Sequence, residues 1–171
     1  MPLYQPIDSI VERAITQNTG WVDVVDTQYT SGSPFNLTAN IDTILPNNGQ
    51  AGVYSQKPND VDSFYADGKI TGRAGDGILV TIDCVITPTS ANTTSAEVWV
   101  DIGGAIGDLY RRIVTFPKGQ GVARPLNFTF GGYTLDTWES NGGTVYIRAN
   151  DGTASVHSIR YVITRSHRAR I

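Results

Sequence analysis

The sequence predicts an all-β chain folded as an antiparallel sandwich with one short helix ahead of it. Three observations carry that expectation. The 171 residues include 19 Thr, 16 Ile and 15 Val against 7 Leu and 12 Ala, a balance that favours pleated strands, where branched side chains pack well, over helices. After Gly20 the apolar period shortens from that of a helix to strict alternation. The 18 Gly and 8 Pro punctuate the alternating runs with turns. The length is that of one domain with a single core.

Taken in order, residues 7–17 read as the helix, because Ile7, Ile10, Val11, Ala14 and Ile15 fall on one face. Ser9 and Glu12 have capping-box spacing, and Asn18-Thr19-Gly20 supplies the stop. So short a helix is marginal alone in water, so its apolar face must dock on its own domain, a sister subunit or another protein. The clearest strands follow. Ile78, Val80, Ile82, Cys84 and Ile86 alternate with Leu79, Thr81, Asp83, Val85 and Thr87. Ala96, Val98, Val100 and Ile102 alternate with Glu97, Trp99 and Asp101. The polar stretch between them, residues 87–92, reads as the tip of a hairpin. Further strands are expected at residues 21–25, 35–39, 69–71, 109–116, 126–130, 144–149 and 155–164, each bounded by Gly, Pro, Asn or Asp. Residues 133–139 lack both alternation and glycine and read as a short helical turn.

Charge and motifs exclude several function classes. The net charge is −3, but it is unevenly spread. Residues 1–110 carry 13 acids and 4 bases, whereas residues 111–171 carry 3 acids and 9 bases. Arg160, Arg165, Arg168 and Arg170 are a modest basic footprint beside an acidic remainder, so no nucleic-acid partner is expected. No apolar run approaches the roughly 20 residues of a membrane-spanning helix, so no membrane partner is expected either. Residues 1–6 lack the basic flank and apolar stretch of a secretory signal, which predicts synthesis in a cytoplasm. The single cysteine, Cys84, faces inward with the isoleucines and reads as a small core residue.

The reagents for catalysis are sparse. His157 and His167 are the only histidines and no G-x-S-x-G elbow occurs, so no enzyme is predicted. Neither histidine has a second ligand at metal-binding spacing. Asp60, Asp62 and Asp67 are acids in one region but lack the repeated oxygen ligands of a calcium loop, so no metal and no cofactor is expected.

The segments Trp21-Val22-Asp23, Leu37-Thr38-Ala39-Asn40, Val85-Ile86-Thr87-Pro88, Asp101-Ile102-Gly103-Gly104, Tyr133-Thr134-Leu135-Asp136-Thr137, Asn141-Gly142-Gly143 and Ile163-Thr164-Arg165-Ser166-His167 resemble jelly-roll modules of tailed-bacteriophage virions. These modules are similar to tumour-necrosis-factor (TNF)-type trimers. The resemblance covers residues 21–171 and implies a TNF-like jelly-roll knob behind an N-terminal anchoring arm of residues 1–20. It implies no catalytic set.

The expected function is a homotrimeric capsid cement (decoration) protein, made in the bacterial cytoplasm and located on the capsid surface of the virion. It would bind the major capsid protein of a phage at threefold positions and stabilise the mature head. Leu3, Tyr4, Ile7, Ile10, Val11 and Ile15 are the expected capsid-binding residues. His157, Ile159, Tyr161 and Ile163, sharing one parity of the last strand, are the expected trimer interface, the alternative being that both strand faces bury in one sandwich. The competing function is a receptor-binding knob of a head or tail fibre that recognises host glycan through residues 27–34, 55–63 and 88–95, near Tyr29, Tyr54 and Phe64.

Overall fold

The structure is a computed structural model that describes residues 19–51, 64–117 and 120–168. The predicted helix at residues 7–17, the arm residues Leu3, Tyr4, Ile7, Ile10, Val11 and Ile15, Tyr54 and the loop at 55–63 with Asp60 and Asp62, and Arg170 lie outside the described residues.

Two antiparallel sheets face each other across one core. The first contains β1 (Gly20–Val25), β4 (Gln50–Ala51), β7 (Gly77–Pro88), β10 (Arg124–Tyr133) and β12 (Ala154–His167), in the order β10-β7-β12-β1-β4, with β2 (Phe35–Leu37) also pairing with β12. The second runs β3 (Thr43–Ile44), β11 (Thr144–Asn150), β8 (Ser95–Asp101), β9 (Asp108–Thr115). A small ribbon, β5 (Tyr65–Ala66) with β6 (Lys69–Ile70), and one helix, α1 (Asp136–Asn141), close one end. From β7 onward the chain passes repeatedly between the two sheets, which is a jelly-roll path.

The alternation of β7 and β8 is realised as read. Ile78, Val80, Ile82, Cys84 and Ile86 point into the core, as do Ala96, Val98, Val100 and Ile102. The predicted hairpin between them is corrected. β7 lies in the first sheet and β8 in the second, so residues 89–94 cross the thickness of the sandwich. A strand with one buried face shows the same pattern whether its sequence neighbour is beside it or across from it, so alternation could not separate the two. The helical turn expected at 133–139 is α1, whose Trp138 is buried and donates its indole N–H to the Ile70 carbonyl at 2.9 Å.

Trp99, on the outward parity of β8, is nonetheless only 2 % exposed. Tyr146 stacks on it at 5.7 Å and the Arg111 guanidinium lies 4.1 Å from its ring centroid. Arg111 bridges Glu97 and Asp108, and Arg148 bridges Glu97 and Asp42. Burial opposes ionisation of Glu97, but hydrogen bonds from Arg111 and Asn150 and the charge of Arg148 outweigh it and hold the carboxyl below its ordinary value.

One irregularity in β12 sets which residues each of its faces carries. Ser158 has φ of 54° and the register with β7 shifts between His157 and Arg160. This bulge adds one residue to the strand and reverses the alternation across it. Upstream, β12 pairs with β2, whereas downstream it pairs with β1. A left-handed backbone costs a non-glycine residue about 1–2 kcal/mol. Ser158→Gly is therefore expected to raise stability by about 0.5–1 kcal/mol after glycine's larger chain entropy is counted. A denaturant titration that shows a fall instead would contradict the account of the bulge.

Candidate functional site

The bulge decides which residues of the last strand are free to meet a partner. Ile159, Tyr161 and Ile163 are each 1 % exposed within the single chain. Tyr161 donates its hydroxyl to the Leu45 carbonyl at 3.0 Å and meets Tyr65 edge-on at 5.8 Å. Side chains so enclosed have no surface to give to a second subunit, and the trimer interface expected at these three positions is corrected to core. His157 was expected to share their face. The extra residue at Ser158 puts it on the opposite one, half-buried beside Val85, with its Nδ1 2.9 Å from the Ser158 hydroxyl.

The outward face of β1, β12, β7 and β10 is the surface that remains. The ladder registers place Trp21, Thr164, Leu79 and Gly131 in one row across the four strands. Asp23, Val162, Thr81 and Thr129 form the next, and Val25, Arg160, Asp83 and Asn127 the third. Leu79 is 46 % exposed at the centre of this face. Its polar groups are bonded locally: Arg160 grips Asp23 with two bonds of 2.7 and 3.0 Å, Asn127 donates to Asp83, and the Thr81 and Thr129 hydroxyls bond each other at 2.8 Å. The result is a sheet surface with Trp21 and Leu79 in one row, an Asp23–Arg160 ion pair, and a further carboxylate, Asp83, held by the neutral Asn127 amide. None of this was read from the sequence, though the parity of Leu79, Thr81, Asp83 and Val85 was.

Beside it runs an edge. β10 ends the first sheet and β9 ends the second on the same side. Between them lies an open cleft of about 390 Å³ lined by residues 112–114 of β9 and 125–129 of β10, with Ile113 exposed on its rim. Tyr110 bridges the two strands by stacking on Phe130 at 4.5 Å. Its φ of 57° is strained for an aromatic residue and holds the ring across the gap between the sheets.

The buried polar groups are engaged in holding the fold. Asp76, with no exposed surface, accepts from the Arg73 backbone N–H and from Arg168 at 2.9 Å, and its carboxylate lies 3.2 Å from Arg165 Nε. Burial, reinforced by the neighbouring charge of Arg168, holds the Arg165 guanidinium below its ordinary value. Arg165 also lies over the Phe64 ring at 4.3 Å. Asp26 accepts from the backbone N–H groups of Gln28, Tyr29 and Asn48 and so ties two loops together. Burial pushes the Cys84 thiol up to about 12, which keeps it in its unreactive protonated form. Among the described residues no three His, Cys, Asp or Glu side chains converge as metal ligands do, and no described helix is long and apolar enough to cross a membrane.

With the geometry in hand, the strand order and the alternation between sheets define a TNF-like jelly roll. The solved structure of Eiger TNF from S. frugiperda is similar with a TM-score of 0.56 at 9 % identity, covering 90 % of this chain and 96 % of that one. PRD1 vertex protein P5 is similar at a TM-score of 0.45 and 16 % identity over 88 % of this chain and 74 % of that one. The infectious bursal disease virus VP2 subviral particle follows at 0.44 and 12 %, over 84 % of this chain and 32 % of that one. No family model matches the chain, and no curated protein matches it.

Proposed function

We propose that the chain is a structural virion component, a homotrimeric cement protein of a tailed bacteriophage. In this reading the sandwiches associate about a threefold axis, while residues 1–18 engage the major capsid protein at threefold positions and reinforce the mature head. The protein is made in the bacterial cytoplasm and works on the capsid surface. One observation carries the reading: a TNF-like jelly roll leaves a sheet face with Leu79 exposed beside a cleft-bearing edge.

A ring of three subunits joins two unlike surfaces, because each copy presents one patch forwards and a different one backwards. The Leu79 face and the β9–β10 edge are two such surfaces, at adjoining sides of one molecule. Burying a Leu or Val side chain in that contact contributes about 1.5–3 kcal/mol. The arms then act together: three on one trimer raise one another's effective concentration, so weak single contacts suffice. A ligand that binds the assembled lattice and not its free subunits stabilises the lattice by about 2.7 kcal/mol at a hundredfold excess over Kd.

The glycan-binding alternative draws less support. Phe64 is fully buried under Arg165 and offers no platform for sugar, Tyr29 is partly buried with Phe35 edge-on at 5.0 Å, and Tyr54 lies outside the described residues.

Deleting residues 1–18 tests the arm. The expected product is a folded trimer by light scattering that no longer sediments with phage shells. Undiminished co-sedimentation would overturn the assignment of capsid binding to Leu3, Tyr4, Ile7, Ile10, Val11 and Ile15.

A further inference from the structure

The two surfaces that a ring would join carry opposite residual charge. On the sheet face, the three rows across β1, β12, β7 and β10 hold the charged side chains Asp23, Arg160 and Asp83. Arg160 is committed to Asp23 through two hydrogen bonds. Asp83 is partly buried and accepts from the neutral Asn127 amide, and among the described residues no cation lies within ion-pair distance of it. The face is left with one carboxylate that no positive charge answers.

The edge has the reverse. The charged residues of β9 and β10 are Asp108, Arg111, Arg112 and Arg124. Arg111 bridges Asp108 and Glu97, whereas Arg112 and Arg124 are exposed and form no ion pair among the described residues. The register sets Arg112 opposite the buried Val98, so its side chain turns to the inner side of the edge strand, where it lines the cleft between β9 and β10. A charge on the inward parity of an edge strand opposes the addition of a further strand, so this edge suits a side-chain contact and not ladder pairing.

These charges decide how two copies can meet. A twofold contact sets one patch against itself. Face on face, it would enclose the Asp83 carboxylates of both copies; edge on edge, it would enclose Arg112 and Arg124 of both. Each arrangement takes like charges out of water together, which is unfavourable. Face on edge brings unlike charges together, and it gives a buried Asp83 the cation that its own chain does not supply.

We propose that the Asp83 carboxylate of one subunit meets the Arg112 guanidinium of the next at each seam of the ring, and that this pair selects head-to-tail association over a twofold dimer. The occupant of the cleft is thus a second copy of this chain. Arg124, which precedes the cleft residue Pro125, adds positive charge to the same edge. The inference rests on the trimer reading above and names the residues that give the ring its direction.

Sedimentation of purified protein over a range of concentrations tests it. Asp83→Lys and Arg112→Asp are each expected to raise the concentration at which the trimer half-dissociates by about tenfold or more, with an unchanged circular dichroism spectrum. The charge exchange Asp83→Lys with Arg112→Asp in one chain restores unlike charges at every seam, and should recover most of that loss. Asp83→Asn and Arg112→Gln serve if a reversed charge does not fold, and their double variant should lose the salt dependence of the native trimer. Single variants as stable as the native trimer, or an exchange no stronger than the singles, overturn the proposal. So does an Arg112→Asp trimer of native stability that binds phage shells less well, because the cleft then belongs to the shell. Native protein that stays monomeric overturns the trimer reading itself, which keeps the two failures distinct.

Discussion

Leu79→Asp is expected to convert the trimer we propose into a folded monomer. Leu79 is almost half exposed in the single chain, so a carboxylate there stays in water in the monomer and costs the sandwich little. In the proposed trimer the same carboxylate would be buried between its Thr164 and Gly131 neighbours without a cation beside it in that row. The lost burial of about 1.5–3 kcal/mol adds to the cost of a buried unpaired charge, and a closed ring has three such seams. Multi-angle light scattering should show one third of the native mass with an unchanged circular dichroism spectrum. A trimer that survives the substitution would remove this face from the interface. Tyr161→Asp makes the contrast, because its target is core: the expected outcome there is loss of folding rather than clean dissociation.

The second large effect is expected at Asp76. Its carboxylate sits among Arg73, Arg165 and Arg168 with no surface exposed, and it ties the end of β12 to the start of β7. Thr134 locks the same turn from the other side: its backbone N–H donates to the Asp76 carbonyl at 2.9 Å, and its hydroxyl accepts from the Asp76 N–H at 3.1 Å. Removing one member of a buried ionic group leaves charge without its partner, which costs about 3–5 kcal/mol. Asp76→Ala should lower Tm by about 10 °C or more in a chain of this size. Asp42→Ala removes an exposed partner of Arg148 and should change stability by less than about 1 kcal/mol. Equal effects at the two sites would contradict the buried-cluster account.

What the residues disclosed before the structure, and what they withheld, follows one physical line. Alternation is a local property of the chain, and in β7 and β8 it placed the inward residues correctly, down to Cys84 among the isoleucines of β7, while the burial of Trp99 on the outward parity of β8 depends on Tyr146 and Arg111 from other strands. Sheet membership is set by pairing at long range, which is why the β7–β8 junction read as a hairpin and is a crossing. The β12 bulge left no local mark, because Ser158 carries no turn signature of the kind that Asn or Gly would supply. The parity of His157, Ile159, Tyr161 and Ile163 was therefore carried straight through it, and the expected interface fell on core residues. Two-residue strands such as β3, β4 and β5 are too short for any period to register. The Asp76 cluster joins residues 92 positions apart, a distance no motif spans. The Leu79 face was visible as a parity but not as a surface, since exposure depends on what the other sheet covers.

The proposed role of this jelly roll is that of a trimeric clasp on a viral shell. It is tested most directly by electron microscopy of shells from the encoding phage, stripped of the protein and incubated with it again. The account predicts threefold-symmetric density standing over threefold positions. Bare shells beside unbound protein would contradict it.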